Sequence, residues 1–398
     1  MTFAATTRRS LELVRDRAAG TLLERRVRAR LAAANAGAPD RFDCVVYFAD
    51  GAASAYQVRQ WLQPLAELAQ THPVAVLVHR PTTAAALLPD SPLPVFLTTG
   101  IGQVENFMNS HGVRLVFYVN NNRDNFTVLR LASPVHVHLS HGESDKISMA
   151  SNQLKAYDYA FIAGTASRER ILGNLHRMDP AKLVEVGRPQ LDIPVRDARP
   201  YDGSRATVLY APTWEGDRPA MSYGSAASHG IALTKALLAD PRYRLIFRPH
   251  PRTGVRLGAH RAAVHEINAL MRKAQQQDPG AGHLLDKRPD VATAMAEADV
   301  CICDISAVAM DWLPYAKPLL VTRPVDPEAE IQNSGVTAVV PLLDAEDAGD
   351  VPGILAGMLA RPVPEAQRAL VEHHFGDTAP GAASRRFASA VEQVLQAG

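Results

Sequence analysis

Residues 298–324 read ADVCICDISAVAMDWLPYAKPLLVTRP, and their reading decides the fold. Val300, Cys301, Ile302 and Cys303 form a short apolar run, the composition of a parallel strand buried on both faces. Asp304 and Ser306 follow, and both are good helix N-cap residues. The spacing predicts a helix from about Ala307 to Tyr315, after which Pro318 opens a second strand. Strand, tight turn, helix and strand make up the repeating unit of a parallel α/β sheet. A helix start at the carboxyl end of such a strand gathers unpaired N–H groups and the positive end of the helix dipole, so it suits an anion.

The same rhythm extends outward. On the N-terminal side strands are predicted at TVLYAP (207–212), RLIFRPH (244–250) and HLLDK (283–287), and on the C-terminal side at LLVT (319–322). An earlier series holds CVVYFA (44–49), VAVLVH (74–79), PVFLTT (94–99), RLVFYV (114–119), VHVHLS (135–140) and YAFIAG (159–164), with a helix expected over 56–70. Residues 193–205 are rich in Pro, Asp, Gly and Arg and read as a linker, whereas 361–380 reads as a proline-containing crossover. The expected organisation is therefore a basic helical extension at 1–40, a Rossmann-like domain at 41–200, a second at 201–380 and a closing helix at 381–398. Two such α/β domains in tandem would set two rows of strand ends across one cleft, where open sheets bind ligands.

Composition narrows the class. The chain has 398 residues, 47% hydrophobic and 21% charged, which suits a globular protein of more than one core. A net charge of +1 argues against a general nucleic-acid binder. Three cysteines provide neither a disulfide framework nor zinc-site spacing, so a reducing, cytoplasmic compartment is expected. No apolar run reaches transmembrane length. The first 40 residues place Arg8, Arg9, Arg15, Arg17, Arg25, Arg26, Arg28 and Arg30 among leucines and valines. That pattern fits either a solvated helix packed on the body or an interfacial helix that meets anionic lipid. The second reading predicts binding to anionic vesicles that weakens with salt and disappears when residues 1–40 are deleted.

The residues able to carry chemistry stand just after strands. His141, in Ser140-His141-Gly142, is placed to take a proton from a hydroxyl, and Lys146 adds positive charge nearby. His250 lies between two prolines in Arg248-Pro249-His250-Pro251, where Arg248 offers a planar fork to phosphate. A rigid histidine there suits charge stabilisation. Thr213, in Tyr210-Ala211-Pro212-Thr213-Trp214, is a hydrogen-bonding candidate for phosphate. His136 and His138 share one face of a strand and read as structural, while His111 precedes a strand and is set aside.

Five segments occur in a telling order: His141-Gly142-x-x-x-Lys146, Gly187-Arg188-Pro189-x-x-Asp192, Tyr210-Ala211-Pro212-Thr213-Trp214, Arg248-Pro249-His250-Pro251 and Asp304-x-Ser306-x-x-x-x-Asp311. Together they resemble the CDP-glycerol glycerophosphotransferase family of teichoic-acid synthesis, and Phe375-Gly376-Asp377 to Ser384-Arg385-Arg386 resembles that family's closing element. The likeness spans roughly 130–395. It implies a GT-B-like architecture and transfer of glycerol phosphate, or a similar polyol phosphate, from a CDP-linked donor to an acceptor hydroxyl, with release of CMP. It implies His141 as general base, His250 near the donor pyrophosphate, and Asp304, Ser306 and Asp311 on the nucleotide side. Lys146, Thr213 and Arg248 join them as phosphate-binding candidates.

The expected partners are the CDP-linked donor, a lipid-linked or polymer acceptor and an anionic membrane surface; no required cofactor or protein-bound metal is expected. Where the family often has Tyr and a second Ser around Ser306, this chain has Ile305 and Ala307, and Glu215 stands where a basic residue is usual. Two other readings share the fold: a GT-B glycosyltransferase using a nucleotide sugar, and a catalytically silent nucleotide-binding module.

Overall fold

A computed structural model describes residues 20–143, 150–193, 195, 201–288, 291–331 and 335–397. The chain divides into two compact units, one comprising 1–141, 153–161 and 388–398, the other 142–152 and 162–387. Lys146, residues 1–19 of the basic extension and most of 194–200 lie outside the described residues. Among the described residues no helix is long and apolar enough to cross a membrane.

The first sheet has seven strands: β1 (Cys44–Phe48), β2 (Val74–Val78), β3 (Val95–Leu97), β4 (Leu115–Tyr118), β5 (Val135–His138), β6 (Tyr159–Ile162) and β7 (Leu183–Glu185), in the order β3-β2-β1-β4-β5-β6-β7. The pairings from β3 through β6 are parallel. The chain winds outward from β1 to β3 and then returns to β4 beside β1, which leaves a switch point between β1 and β4. Residues 20–34 are helical and cover the edge at β3, where Asn35 and Arg28 donate to the carbonyls of Val95 and Leu97.

The second sheet has six strands: β8 (Ala206–Ala211), β9 (Tyr243–Phe247), β10 (Leu284–Leu285), β11 (Val300–Cys303), β12 (Leu319–Thr322) and β13 (Leu342–Leu343), ordered β10-β9-β8-β11-β12-β13 and all parallel. Its switch point lies between β8 and β11. β11 is buried on both faces, as its sequence demands. Val300 and Ile302 join one core with Val208 and Tyr210, whereas Cys301 and Cys303 join the opposite core with Leu209 and Trp312. All three cysteines are buried free thiols.

The stretch 361–380 departs from the expected crossover, because Glu365–Phe375 forms a helix. Pro364 sits at its N-cap, outside the hydrogen-bonded turns, and Gly376 ends it at φ 64°, so neither residue breaks it. β7 and β13, of three and two residues, have no counterpart among the predicted strands.

His136 and His138 are structural parts of the first unit. His136 bonds the Tyr118 hydroxyl at 2.9 Å and the Leu131 carbonyl at 2.8 Å. His138 packs on Tyr157, and burial, followed by the neighbouring His141, pushes its pKa down to about 3. Burial also lowers His136, His229 and His283. A histidine lowered in the folded state makes the unfolded chain the better proton acceptor, so stability holds above about pH 6.5 and falls as pH drops towards 3. His138 alone contributes on the order of 5 kcal/mol across that window. Urea unfolding at stepped pH is expected to show this loss, and His138→Leu is expected to flatten it; an unchanged slope in that variant would remove His138 as a cause.

Candidate active site

The first unit holds His141 in a defined tautomer. Its Nδ1 lies 3.1 Å from the Val119 carbonyl, an acceptor only, so Nδ1 carries a proton. In the neutral ring the basic lone pair is therefore on Nε2. The Tyr56 ring meets the imidazole edge-on at 5.9 Å. Trp61 Nε1 donates to the Ser140 carbonyl at 2.6 Å, and Ser140 itself takes φ 59°. A non-glycine residue rarely adopts that conformation, and here it turns the chain sharply from β5 into His141.

His250 in the second unit has the opposite arrangement. Its Nδ1 accepts the backbone N–H of Arg252 at 3.1 Å, so the neutral ring carries its proton on Nε2. The backbone N–H of His250 donates to the Pro212 carbonyl, tying the loop to the end of β8. Glu215 fixes the loop that follows: its buried carboxylate accepts from Gly254 N (2.9 Å), Arg256 N (2.8 Å) and Leu257 N (2.8 Å). Burial works to raise its pKa, but these backbone bonds prevail and hold it below the usual carboxylate value. Arg252 stacks over Trp214 at 3.9 Å. An acid at 215 is thus the clasp of the histidine loop.

Asp304 is fully buried at the switch point of the second sheet. Its carboxylate accepts from Thr213 N (2.6 Å), Ser225 N (3.2 Å) and the Thr322 hydroxyl (2.6 Å), linking the loops after β8 and β11 to the end of β12. Burial raises its pKa despite these bonds. Thr213 is likewise buried. Ser306 precedes the helix Ala307–Trp312 without a side-chain cap bond, and its buried hydroxyl has no partner among the described residues. Arg248 Nη1 bonds Asp286 at 2.6 Å and keeps partial exposure.

Asp311 and Arg188 form a buried fork, Nε to Oδ1 at 3.0 Å and Nη2 to Oδ2 at 2.9 Å. Removing one partner strands a buried charge and costs about 3–5 kcal/mol. The same segment reaches the closing element, because Asp192 accepts Ser384 N at 2.7 Å. Gly187 takes φ +80°, and a Cβ there would lie 2.3 Å from Arg386 Nη2. The segments 187–192, 304–311 and 375–386 are therefore one hydrogen-bonded hub. Arg188 and Glu143 were not among the site candidates. Glu143, buried, accepts from Ser167 at 2.7 Å and pairs with Arg170, anchoring the segment after His141 on the helix Thr165–Asn174. A Cβ at Gly142 would sit 3.1 Å from that of Ala307, so the glycine allows close approach to the helix start. The sequence signal for Glu143 was an isolated carboxylate just past a strand end and for Arg188 a lone cation, their partners Ser167 and Asp311 lying too distant in the chain to see.

The structure thus gathers Thr213, Arg248, His250, Asp304, Ser306 and Asp311 on elements of the second unit, with His141 on the first. Among the described residues no group of three or more His, Cys, Asp or Glu has metal-holding geometry.

The profile of the CDP-glycerol:poly(glycerophosphate) glycerophosphotransferases matches residues 117–326. No curated protein matches the chain significantly. A histidine-to-alanine variant of the wall teichoic acid polymerase TagF aligns with a TM-score of 0.57 at 12% identity, over 100% of this chain and 99% of that one. A histidine-to-asparagine variant of TagF soaked with CDPG gives 0.56 at 13% identity, over 100% and 99%. A putative UDP-N-acetylglucosamine 2-epimerase from Listeria monocytogenes gives 0.57 at 13% identity, over 89% and 97%. At these identities the likeness concerns the fold, which is GT-B-like with two parallel-sheet α/β halves.

Proposed function

The chain belongs to the CDP-glycerol:poly(glycerophosphate) glycerophosphotransferase family, and from that premise we propose that it moves glycerol phosphate from CDP-glycerol to the hydroxyl of a growing or lipid-linked surface polymer, releasing CMP. The observation that carries the reading is the opposed placement of protons on two imidazoles, lone pair on Nε2 of His141 and N–H on Nε2 of His250. One is set to accept a proton and the other to donate a hydrogen bond. TagF, which shares the fold, has been solved after soaking with CDPG, and this supports a CDP-linked donor.

In this mechanism the acceptor oxygen attacks the β-phosphorus while its proton passes to His141 Nε2. The bond from the β-phosphorus to the bridging oxygen breaks, and that oxygen leaves with CMP. His250 Nε2–H and Arg248 stabilise negative charge on the diphosphate. Ser306, with its unspent hydroxyl, is the donor-side contact, and Lys146 adds charge. Asp304 and Asp311 act by holding the loops, their carboxylates being engaged within the protein, while the Thr213 hydroxyl stays a candidate for phosphate.

Peripheral attachment to an anionic membrane belongs to the same proposal: Leu22, Leu23, Arg25, Arg26 and Arg30 are exposed on the 20–34 helix. The decisive experiment incubates the protein with CDP-alcohols and sugar nucleotides and identifies the nucleotide released. CMP from CDP-glycerol is expected; a nucleoside diphosphate from a sugar nucleotide would favour glycosyl transfer, and no turnover or binding would favour a silent module.

A further inference from the structure

The two sheets each place an aspartate at the switch point, and the two are used differently. Asp304, in the second sheet, is 0% exposed and satisfied by three protein donors. Asp50, in the first, is only half-buried. It stands two residues past the end of β1 and is bonded to Asn120, which stands two residues past the end of β4. Asp50 Oδ2 accepts from Asn120 Nδ2 at 2.7 Å and Oδ1 from Asn122 Nδ2 at 2.6 Å.

Both amides are locked with N–H groups towards the carboxylate. Asn120 Nδ2 also donates to Gln57 Oε1 at 2.8 Å, and Asn122 Oδ1 accepts the Asp124 N–H at 2.7 Å. Asn125 braces the turn through the Asn120 carbonyl at 2.7 Å and the Tyr157 hydroxyl at 3.0 Å. An ionised carboxylate offers about four acceptor sites, and the two amides take two. The Oδ1 atom of Asn121, in the same turn, is buried with no partner among the described residues. His141 is one strand further along, after β5, and bonds the carbonyl of Val119, the residue before Asn120. Two strand spacings separate β1 from β5, about 10 Å, so one small ligand reaches both side chains.

We infer that Asp50, oriented by Asn120 and Asn122, binds the hydroxyl pair at the end of the acceptor and so selects acceptors that end in a diol. This rests on the transferase reading above. A rigid carboxylate with two open sites takes two adjacent hydroxyl donors as the acceptor binds, and the hydroxyl that attacks then turns its one proton from Asp50 to His141 Nε2. An acceptor lacking one of these hydroxyls leaves part of a preorganised charge unpaired, which costs about 10-fold or more in affinity.

The test is calorimetric and needs no turnover. The probes are a glycerol phosphate dimer with a free terminal diol and the same dimer with one terminal hydroxyl replaced by hydrogen. The full-length protein is expected to prefer the diol probe by about 10-fold or more. Asp50→Asn and Asp50→Ala are expected to bind both probes alike, at the level of the wild type with the deoxy probe, and to keep CDP-glycerol affinity. A merely structural role would lower both probes together and leave their ratio intact, and that result overturns the assignment, as does a wild type without preference or binding. A wild type that discriminates the probes yet releases no CMP from CDP-glycerol would instead sink the transfer reading and leave Asp50 in place.

Discussion

His141→Asn is expected to lower turnover by about 10²–10⁴-fold and leave CDP-glycerol affinity within about twofold. The asparagine amide overlays Nδ1 of the imidazole, so the bond to the Val119 carbonyl survives. What the variant lacks is the lone pair on Nε2. His141→Ala removes both and is expected to be no slower than His141→Asn, because the backbone bond positions the ring without doing chemistry. Single-turnover rates with saturating donor, alongside donor calorimetry, separate chemistry from binding. Wild-type turnover in the asparagine variant would remove His141 from the mechanism.

His250→Ala is expected to cost about 10²–10³-fold in kcat, the size of a lost preorganised donor to developing phosphoryl charge. The informative partner is His250→Gln. Glutamine carries an N–H near the Nε2 position and should recover part of the loss, whereas His250→Asn, whose amide sits nearer Nδ1, should not. This order, Gln above Asn and Ala, follows from Arg252 N–H occupying Nδ1 and forcing the proton onto Nε2. Equal activity in all three variants, or recovery by Asn alone, would refute the assignment of His250 as a hydrogen-bond donor through Nε2.

Much of the architecture was legible in short apolar runs. VCIC and LLVT correspond residue for residue to β11 and β12, because strands buried on both faces are continuous in hydrophobicity. His141 and His250 were singled out because strand ends are predictable and the residues after them are few, and each does stand three residues past a strand. What side chains do across the chain was not legible. Asp304 and Ser306 look alike as N-cap residues, yet one carboxylate binds three protein donors and the other residue's hydroxyl has no partner among the described residues. Glu215 looked like a departure from the family until Gly254, Arg256 and Leu257, about 40 residues onward, supplied its backbone donors. Asp50 carried no local signal at all, since its meaning comes from Asn120 and Asn122 on a neighbouring strand end.

The bonds joining 187–192 to 311 and 384 set a timetable for the newborn polypeptide. Asp192 waits for the Ser384 amide, 192 residues later, and the ribosome needs about 10–40 s to cover that distance. Until then Gly187 lacks its neighbours Ala383 and Arg386, whereas the partner of Arg188, Asp311, arrives 123 residues on. The second unit therefore gains the tie between Asp192 and Ser384 only after nearly the whole of that unit has been made.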